Sequence, residues 1–272
     1  MKQVNKLDAF KTKLANAFKV HGVAGVLWRA LRLPFLYLKQ KEIRANIFRQ
    51  TDTQSVFTEI YKTNWWGSPE SVSGTGSTLA YTHNLRIELP KLFSTFQINT
   101  VFDAPCGDFN WMKPVVSHTN IQYIGGDIVS ELIQNNVLLN QASAITFINL
   151  NIIEDQFPKA DLWICRDCLI HFSFKDTLLV LENYLRSEIP YLLTTTHHNK
   201  SNFRNHDIQT GDVRIIDLFS EPFNFPKPPL FEIDDWLEPD LPRVMALFDR
   251  SQVLSAVLKM RQIFTLGSPI RV

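Results

Sequence analysis

The sequence predicts an α/β fold, with a mostly parallel sheet of seven strands and helices on both of its faces. Short apolar segments typical of buried strands recur from residue 99 onward, and patterns with helical spacing lie between most of them. Strands that alternate with helices are joined by right-handed crossovers, which makes such a sheet parallel. The chain has 272 residues, 45% of them hydrophobic, and this is enough to bury one large core.

Residues 1–50 are predicted to form a basic helical arm. They hold eleven lysines and arginines against two acidic residues, although the formal net charge of the whole chain is only +1. From residue 9 to residue 50, apolar residues recur at helical spacing in two pieces hinged near Pro34. Such a helix can lie on an anionic membrane surface or pack on its own domain, and both interpretations stay open. Charges interrupt the apolar stretch 23–38, so we do not expect it to span a membrane.

Residues 51–98 are predicted to form a lid over the cofactor and substrate and a helix that leads into the sheet. The stretch 59–90 is polar and aromatic, and six of the ten glycines in the chain lie between positions 67 and 126. Glycine at that density marks tight turns or places where the backbone comes close to a ligand. We therefore expect a functional loop around Trp65 and Trp66, rather than an ordinary surface loop, before a helix that begins near Thr82.

Residues 99–272 are predicted to form the α/β domain itself. Between its strands lie helices over 129–140 and 175–186, and a last helix surrounds 253–260. A Pro-, Asn- and His-rich stretch over about 197–230 predicts an insertion on the substrate side. Five strands are predicted over 100–104, 122–127, 144–151, 161–167 and 191–196, with two further candidate strands over 230–235 and 243–249.

A candidate cofactor site follows from the residues at the ends of the first two strands. Ligands of open parallel sheets bind at the carboxyl ends of the strands, near the point where the strand order reverses. The first strand runs into a tight turn at Gly107, and the second ends in Asp127, 20 residues later. This spacing suits a nucleoside cofactor, whose tail approaches the backbone of the turn while a carboxylate accepts hydrogen bonds from the ribose.

The glycine pattern argues against a dinucleotide. A pyrophosphate needs a GxGxxG turn at a helix N-terminus, whereas Asp108 and Phe109 follow the single Gly107. An anionic Asp108 repels phosphate but suits a tail that carries an ammonium group beside a sulfonium. Charge therefore favours S-adenosylmethionine over NAD.

The segment VFDAPCGDFNWM resembles the first motif of class I S-adenosylmethionine-dependent methyltransferases, with Phe109 in place of the last glycine of a DxxCGxG-like turn. Together with IYKTNWWGSPESVSGTGS, YIGGDIV, CRDCLIHFSF and YLLTTT, it is similar to a mainly bacterial branch of these enzymes over residues 59–226. The resemblance implies a Rossmann-like fold and S-adenosylmethionine as the cofactor.

The resemblance also implies roles for individual residues. The methionine part of the cofactor would lie against the turn after the first strand, the ribose against Asp127 and the adenine against Ile128 and Asn151. Arg166 would face both cofactor and substrate. The residues implied for the methionine part are Asp103, Ala104, Cys106 and Gly107.

Methyl transfer needs alignment and, for a protonated acceptor, a base. Asp167 and His171 are the candidate catalytic residues, because they lie within one helical turn and could share a proton. The alternative for His171 is a capping or packing role. Tyr61 with Trp65 or Trp66 is a candidate lid that stabilises the sulfonium by cation–π attraction, and plain apolar packing is the alternative.

Two further clusters suggest metal chemistry only superficially. Cys165, Cys168 and His171 offer three zinc ligands, but no fourth ligand follows at a suitable spacing, so we expect packing and no metal. The polar cluster after the fifth strand is a better candidate for substrate contacts than for a metal site. Its members are His197, His198, His206 and Asp207.

The sequence thus predicts a methyltransferase that acts on an oxygen or nitrogen of a small-molecule or glycan acceptor. A nucleotide-sugar or NAD-dependent enzyme and a non-catalytic cofactor-binding scaffold are the alternatives. The near-neutral charge and the absence of a basic patch in the predicted catalytic segment exclude nucleic acid as the expected partner. Three cysteines and no recognisable leader predict a cytoplasmic protein, with the basic arm as a potential contact to the inner membrane face.

Overall fold

The structure is a computed structural model that describes residues 34–35, 37–199 and 202–266. The chain divides into two compact units, Met1–Arg49 and Gln50–Val272. In the first unit, residues 34–35 are helical and helix α1 covers residues 37–47. Most of the predicted basic arm, including the helical piece before Pro34, lies outside the described residues. None of the described helices is both long and apolar enough to cross a membrane.

The second unit contains all seven predicted strands, most within two residues of their expected bounds. Short 3₁₀ turns cover Thr75–Ser77 and Leu169–His171. The helices are α2 (Thr53–Thr63), α3 (His83–Thr95), α4 (Met112–Ser117), α5 (Ser130–Asn140), α6 (Phe174–Arg186) and α7 (Arg250–Leu266). The strands are β1 (Thr100–Asp103), β2 (Gln122–Asp127), β3 (Ile145–Asn149), β4 (Leu162–Cys165), β5 (Tyr191–His197), β6 (Phe231–Asp234) and β7 (Arg243–Asp249).

The seven strands form one sheet in the order β3-β2-β1-β4-β5-β7-β6. Strands β1 to β5 pair with one another in parallel. Strand β7 is antiparallel to both β5 and β6. The prediction of a mostly parallel seven-stranded sheet is confirmed. The strand order reverses between β1 and β4, which places the expected ligand crevice at the carboxyl ends of these two strands and of β2.

The core lies on both faces of the sheet because neighbouring strand residues point to opposite sides. Phe102 and Trp163 pack in one apolar cluster, which also includes side chains of α6 and α7. Val101 and Leu162 pack in the other, against side chains of α3 and α4. The two central strands are therefore covered on both faces, as expected for strands that read as continuous apolar runs.

Candidate functional site

A cavity of about 330 Å³ opens at the carboxyl ends of β1, β2 and β4. Residues 66–78, here called the cover segment, contribute one of its walls, and α2 contributes another. Eleven of the sequence-predicted site residues line this cavity: Tyr61, Trp66, Asp103, Cys106, Gly107, Asp127, Ile128, Asn151, Arg166, Asp167 and His171.

The Gly107 turn and Asp127 meet directly in the structure. The backbone N–H of Gly107 donates to Oδ2 of Asp127 over 3.1 Å, and the N–H of Val129 donates to Oδ1 over 3.0 Å. Burial raises the pKa of Asp127 to about 6, and the two backbone N–H groups partly oppose that rise. The Asp127 side chain is therefore fixed between the ends of β1 and β2, in the wall of the cavity.

Asp103 lies at the end of β1, deeper in the same wall. The Tyr123 hydroxyl donates to its Oδ2 over 2.7 Å. Burial raises the pKa of Asp103 to about 7, although the bond from Tyr123 acts in the opposite direction. Next along the turn, the Cys106 thiol is buried, and its pKa is raised well above the usual value by that burial. It is therefore a protonated wall group rather than a reactive thiolate.

Phe109 takes the place of the glycine expected at the end of the turn. Its φ is 60°, in the left-handed region that favours glycine, and its side chain is almost fully buried. The ring packs against Tyr123 and Phe147, with centroid distances of 4.8 and 5.2 Å. The turn thus keeps a glycine-like backbone, while the aromatic side chain anchors it in the core.

The Asp108 side chain contacts the cover segment. Its Oδ2 accepts a hydrogen bond from the Val72 N–H over 2.9 Å, and its Oδ1 accepts one from the Ser71 hydroxyl over 3.0 Å. Both oxygens bind the cover segment, and Asp108 is not among the residues that line the cavity, so its contact with the ammonium group of a cofactor stays a prediction. Asp108 holds this segment onto the Gly107 turn.

Two glycines allow the cover segment to come close to the strand ends. A Cβ atom on Gly107 would lie 2.1 Å from Oγ of Ser73, and Gly107 has a φ of +54°. A Cβ atom on Gly76 would lie 3.2 Å from Oδ2 of Asp167. The Gly107 contact excludes a side chain, whereas a side chain at Gly76 would make a tight contact that Asp167 could relieve only by a small shift.

A buried network of two arginines and two aspartates forms the other side of the cavity. Arg166 makes a bidentate pair with Asp235, with both N–O distances at 2.9 Å, and donates to the carbonyl of Gly76 over 2.8 Å. Arg243 donates to Oδ1 of Asp167 over 2.8 Å and to the backbone carbonyl of Asp235 over 2.6 Å. Burial alone would raise the pKa of Asp167, but the two guanidinium groups outweigh it and hold the pKa below its usual range.

Sequence reasoning missed Tyr81, Asp240 and Arg243, which line the cavity, and Asp235, which pairs with Arg166 behind it. Tyr81 lies under the Arg243 guanidinium, 5.1 Å from its ring centroid, and its hydroxyl donates to Oδ2 of Asp240 over 2.9 Å. Burial raises the pKa of Tyr81 to about 12. The only signal for Asp235 and Arg243 was their position, at or beside the ends of the two candidate strands 230–235 and 243–249.

The His171 ring has its own hydrogen-bond partner and aromatic neighbour. Its Nδ1 lies 2.8 Å from the carbonyl oxygen of Asp212, and its ring lies against that of Trp66, with centroids 5.2 Å apart. Because a carbonyl can only accept, Nδ1 carries the proton of the neutral ring and Nε2 has a free lone pair. Burial lowers the pKa of His171, which favours the neutral ring. Asp167 Oδ1 bonds to Arg243 and accepts from the Thr195 hydroxyl, and the sharing of a proton between Asp167 and His171 stays a prediction.

The structure does not bring four predicted residues to the cavity. Ala104 is buried in the core and its carbonyl accepts from Trp163 Nε1, and Trp65 lies half-buried outside the cavity lining. Strand β5 continues through His197, whose Nδ1 lies 3.1 Å from the Ile216 carbonyl. His198 follows it, beside Glu232 of β6. The two histidines thus belong to the antiparallel side of the sheet rather than to the mouth of the cavity.

The remaining candidates concern metal binding. Cys165 and Cys168 are buried, and both carry free thiols. Within residues 34–35, 37–199 and 202–266, no group of three or more His, Cys, Asp or Glu side chains is placed to hold a metal ion.

Comparisons with known proteins concern the fold. No protein-family model and no curated protein matches the sequence. A SAM-dependent methyltransferase from Leishmania major has a TM-score of 0.55 and 15% identity, over 73% of this chain and 87% of its own. PigF, solved with SAH (S-adenosylhomocysteine), has a TM-score of 0.51 and 13% identity, over 84% of this chain and 74% of its own.

A further match has a lower score. Human N-acetylserotonin methyltransferase, solved with S-adenosylmethionine, reaches a TM-score of 0.41 at 17% identity, over 60% of this chain, and the chain spans only 50% of that protein. The two better matches show that the chain has the Rossmann-like fold of the class I S-adenosylmethionine-dependent methyltransferases, as its motifs predicted. At these identities the likeness establishes the fold and leaves the activity to be argued from the site.

Proposed function

We propose that the protein is a methyltransferase that uses S-adenosylmethionine. The observation that carries the proposal is the contact between the Gly107 turn and Asp127 in the wall of an acidic cavity at the strand-order reversal. The two solved methyltransferases that share the fold support it.

The charge of the cavity fits this donor. Four aspartates line it against two arginines, and although burial raises the pKa of Asp103 to about 7, the other three aspartates still outnumber the arginines. This balance favours a cationic sulfonium and disfavours the two phosphates of a dinucleotide. Asp127 would hold the ribose, Ile128 and Asn151 would lie against the adenine, and the Gly107 turn would face the methionine part. When bound, S-adenosylmethionine supplies an electrophilic methyl group on its sulfonium. The charged lining residues are Asp103, Asp127, Asp167, Asp240, Arg166 and Arg243.

The residues of this chain would orient the acceptor and accept its proton. His171 is the proposed base, because its ring is held neutral by burial and its Nε2 is free to accept a proton. Asp167 is proposed to act as a fixed negative charge beside the transfer site, since its arginine partners keep it ionised. Trp66 would close the cavity over the reacting groups, at the side where its ring contacts His171.

The acceptor class follows from the size and lining of the cavity. A cavity of about 330 Å³ lies at the small end of ligand pockets, which favours a small molecule or a single sugar unit of a glycan as the acceptor. A base that accepts a proton implies an acceptor hydroxyl or N–H group. Contact with a membrane through residues 9–50 remains a proposal, and a shift of the protein out of the membrane fraction on deletion of these residues would support it.

Calorimetric titration with S-adenosylhomocysteine tests the site. Asp127→Asn keeps the shape of the side chain but removes its charge, and we expect an affinity at least about tenfold lower, as for a lost charged hydrogen bond. Asp161→Asn is the matched control. Asp161 also accepts two backbone N–H bonds, from Asn99 and Thr100, but at the amino ends of β1 and β4, away from the cavity.

Each alternative function predicts a different result of these binding and activity measurements. An equal loss of affinity in both variants would indicate a general effect on stability and would contradict the assigned site. Tighter binding of NAD than of S-adenosylhomocysteine would favour an NAD-dependent enzyme. Donor binding without any methyl transfer in cell extracts would favour a scaffold.

A further inference from the structure

A strap of chain, residues 207–214, binds the segment that carries His171. The Gly211 N–H donates to the His171 carbonyl over 2.8 Å, and the Arg214 N–H donates to the Ile170 carbonyl over 3.0 Å. Between these two backbone bonds, the Asp212 carbonyl faces Nδ1 of the His171 ring. The strap therefore contacts His171 through both its backbone and its imidazole.

Arg214 fastens the strap to the core. Its side chain lies between the rings of Phe174 and Phe223, with its guanidinium carbon 4.7 and 5.6 Å from their centroids. Its Nη2 donates to the Leu169 carbonyl over 3.3 Å and to the Thr177 hydroxyl over 3.4 Å. Arg214 is only 4% exposed and is thus a buried cation held under the turn that carries His171.

The strap also belongs to the wall of the cavity. Val213, between the carbonyl that faces His171 and the arginine that anchors the strap, lines the cavity and is 61% exposed. An acceptor that enters the cavity would therefore meet the strap beside the base. The contacts of the strap with His171 lie at the reaction site, whereas its anchor is buried.

We propose that Arg214 is a positioning residue for the base: it holds the strap so that the Asp212 carbonyl keeps the proton of His171 on Nδ1 and leaves Nε2 toward the acceptor. This inference rests on the proposed function, in which His171 accepts a proton. Free neutral histidine prefers the opposite tautomer, with the proton on Nε2, so the protein must select this one. The charged groups that face the ring are Asp167, Asp212 and Arg214 itself.

The tautomer can be measured on the protein without any ligand by long-range ¹H–¹⁵N NMR of its histidines. His171→Gln identifies the signals of His171, and the wild type is expected to show the proton on Nδ1. In Arg214→Met, which removes the donors but keeps much of the volume, we expect a substantial fraction of the Nε2-protonated form. The titration midpoint of His171 should move up toward that of free histidine, because a loosened strap admits water.

Arg250→Met is the matched control for Arg214→Met. Arg250 also donates to backbone carbonyls, among them that of Ser187 over 2.6 Å, and its guanidinium lies 5.6 Å from the Tyr184 ring centroid. It is bound to the end of α6, at a different place from the His171 turn. The His171 tautomer and its titration are expected to remain those of the wild type in this variant.

A second variant keeps the test decisive if Arg214→Met does not fold. In the middle of the strap, the Thr210 hydroxyl accepts from the Ser173 N–H over 2.9 Å and donates to Asp176. Thr210→Val removes both bonds without touching Arg214, and it should shift the tautomer in the same direction. A folded Arg214→Met, or failing that a folded Thr210→Val, with an unchanged His171 tautomer would overturn the proposal. Donor binding is not involved, so this result is independent of the titration with S-adenosylhomocysteine.

Discussion

Phe109 shows how one residue can keep a glycine-dependent turn without glycine. Its left-handed backbone destabilises the folded state, and the burial of its ring against Tyr123 and Phe147 offsets this. A substitution that removes the ring but leaves a Cβ keeps the backbone strain and loses the stabilisation from ring packing. The backbone and side-chain contributions can therefore be separated by two substitutions at this one position.

We predict that Phe109→Gly is more stable than Phe109→Ala. Both should lose about 3–5 kcal/mol of ring packing, but only alanine retains the left-handed strain, of roughly 1 kcal/mol. Urea unfolding of the two variants measures the difference. In an ordinary buried turn with negative φ the order would be reversed, and an alanine variant more stable than the glycine variant would contradict the backbone conformation described for Phe109.

Asp103 gives a prediction on pH. Burial raises its pKa from the usual 3.8 to about 7, so the folded protein binds a proton that the unfolded chain releases between these two values. The stability that this proton contributes is present at low pH and is lost as the pH rises toward 7. Asp103→Asn keeps an acceptor for the Tyr123 hydroxyl but does not titrate.

The stability of the wild type relative to Asp103→Asn should therefore fall as the pH rises from about 4 to about 7. Urea unfolding of both proteins at pH 5 and pH 8 checks this. A difference in the free energy of unfolding that is the same at both pH values would show that Asp103 has an ordinary pKa in the folded protein.

The cover segment is the element whose position depends most on single contacts. It contains one 3₁₀ turn and otherwise irregular chain, and it is held to the strand ends by Asp108, Arg166 and Asn110. Segments fixed by a few side-chain bonds open at lower free energy than strands and helices do. We therefore expect changes in Asp108 to loosen the cover segment before they affect the sheet.

Asp108→Ala should speed hydrogen exchange of the Val72 amide at least about tenfold, because the charged acceptor of that N–H is removed. Exchange of amides in β1 and β4 should remain slow. Mass spectrometry of exchange over residues 66–78 measures the effect, with Asp161→Ala as the control. Unchanged protection of the cover segment would show that other contacts hold it.

The helices and strands could be predicted from the sequence, whereas the side-chain contacts between them could not. Periodicity located β2 and β7 to the residue, and α5 and α6 to within one residue. The pair of Arg166 with Asp235 and the pair of Asp167 with Arg243 join residues 69 and 76 positions apart, so no local pattern carries them. His198 was misplaced because β5 extends through His197 instead of ending before it.

For the whole molecule, the sheet order decides where a ligand can bind. The reversal between β1 and β4 opens the crevice that holds the cavity, and it brings together the ends of β1, β2 and β4. The sequence predicted this arrangement because the alternation of strands and helices and the Gly107–Asp127 spacing are both local. It could not predict that the antiparallel strand β7 supplies Arg243 to the same cavity.

The central claim is that this cavity binds the S-adenosyl donor, and the most direct test is calorimetric titration of the wild-type protein with S-adenosylhomocysteine, with NAD titrated in parallel. We predict micromolar binding of S-adenosylhomocysteine at one site per chain, because the Gly107 turn and Asp127 offer a site for its nucleoside and amino-acid parts. We predict no measurable binding of NAD, because the aspartates of the lining disfavour its two phosphates. No heat of binding from S-adenosylhomocysteine, or tighter binding of NAD, would contradict the account.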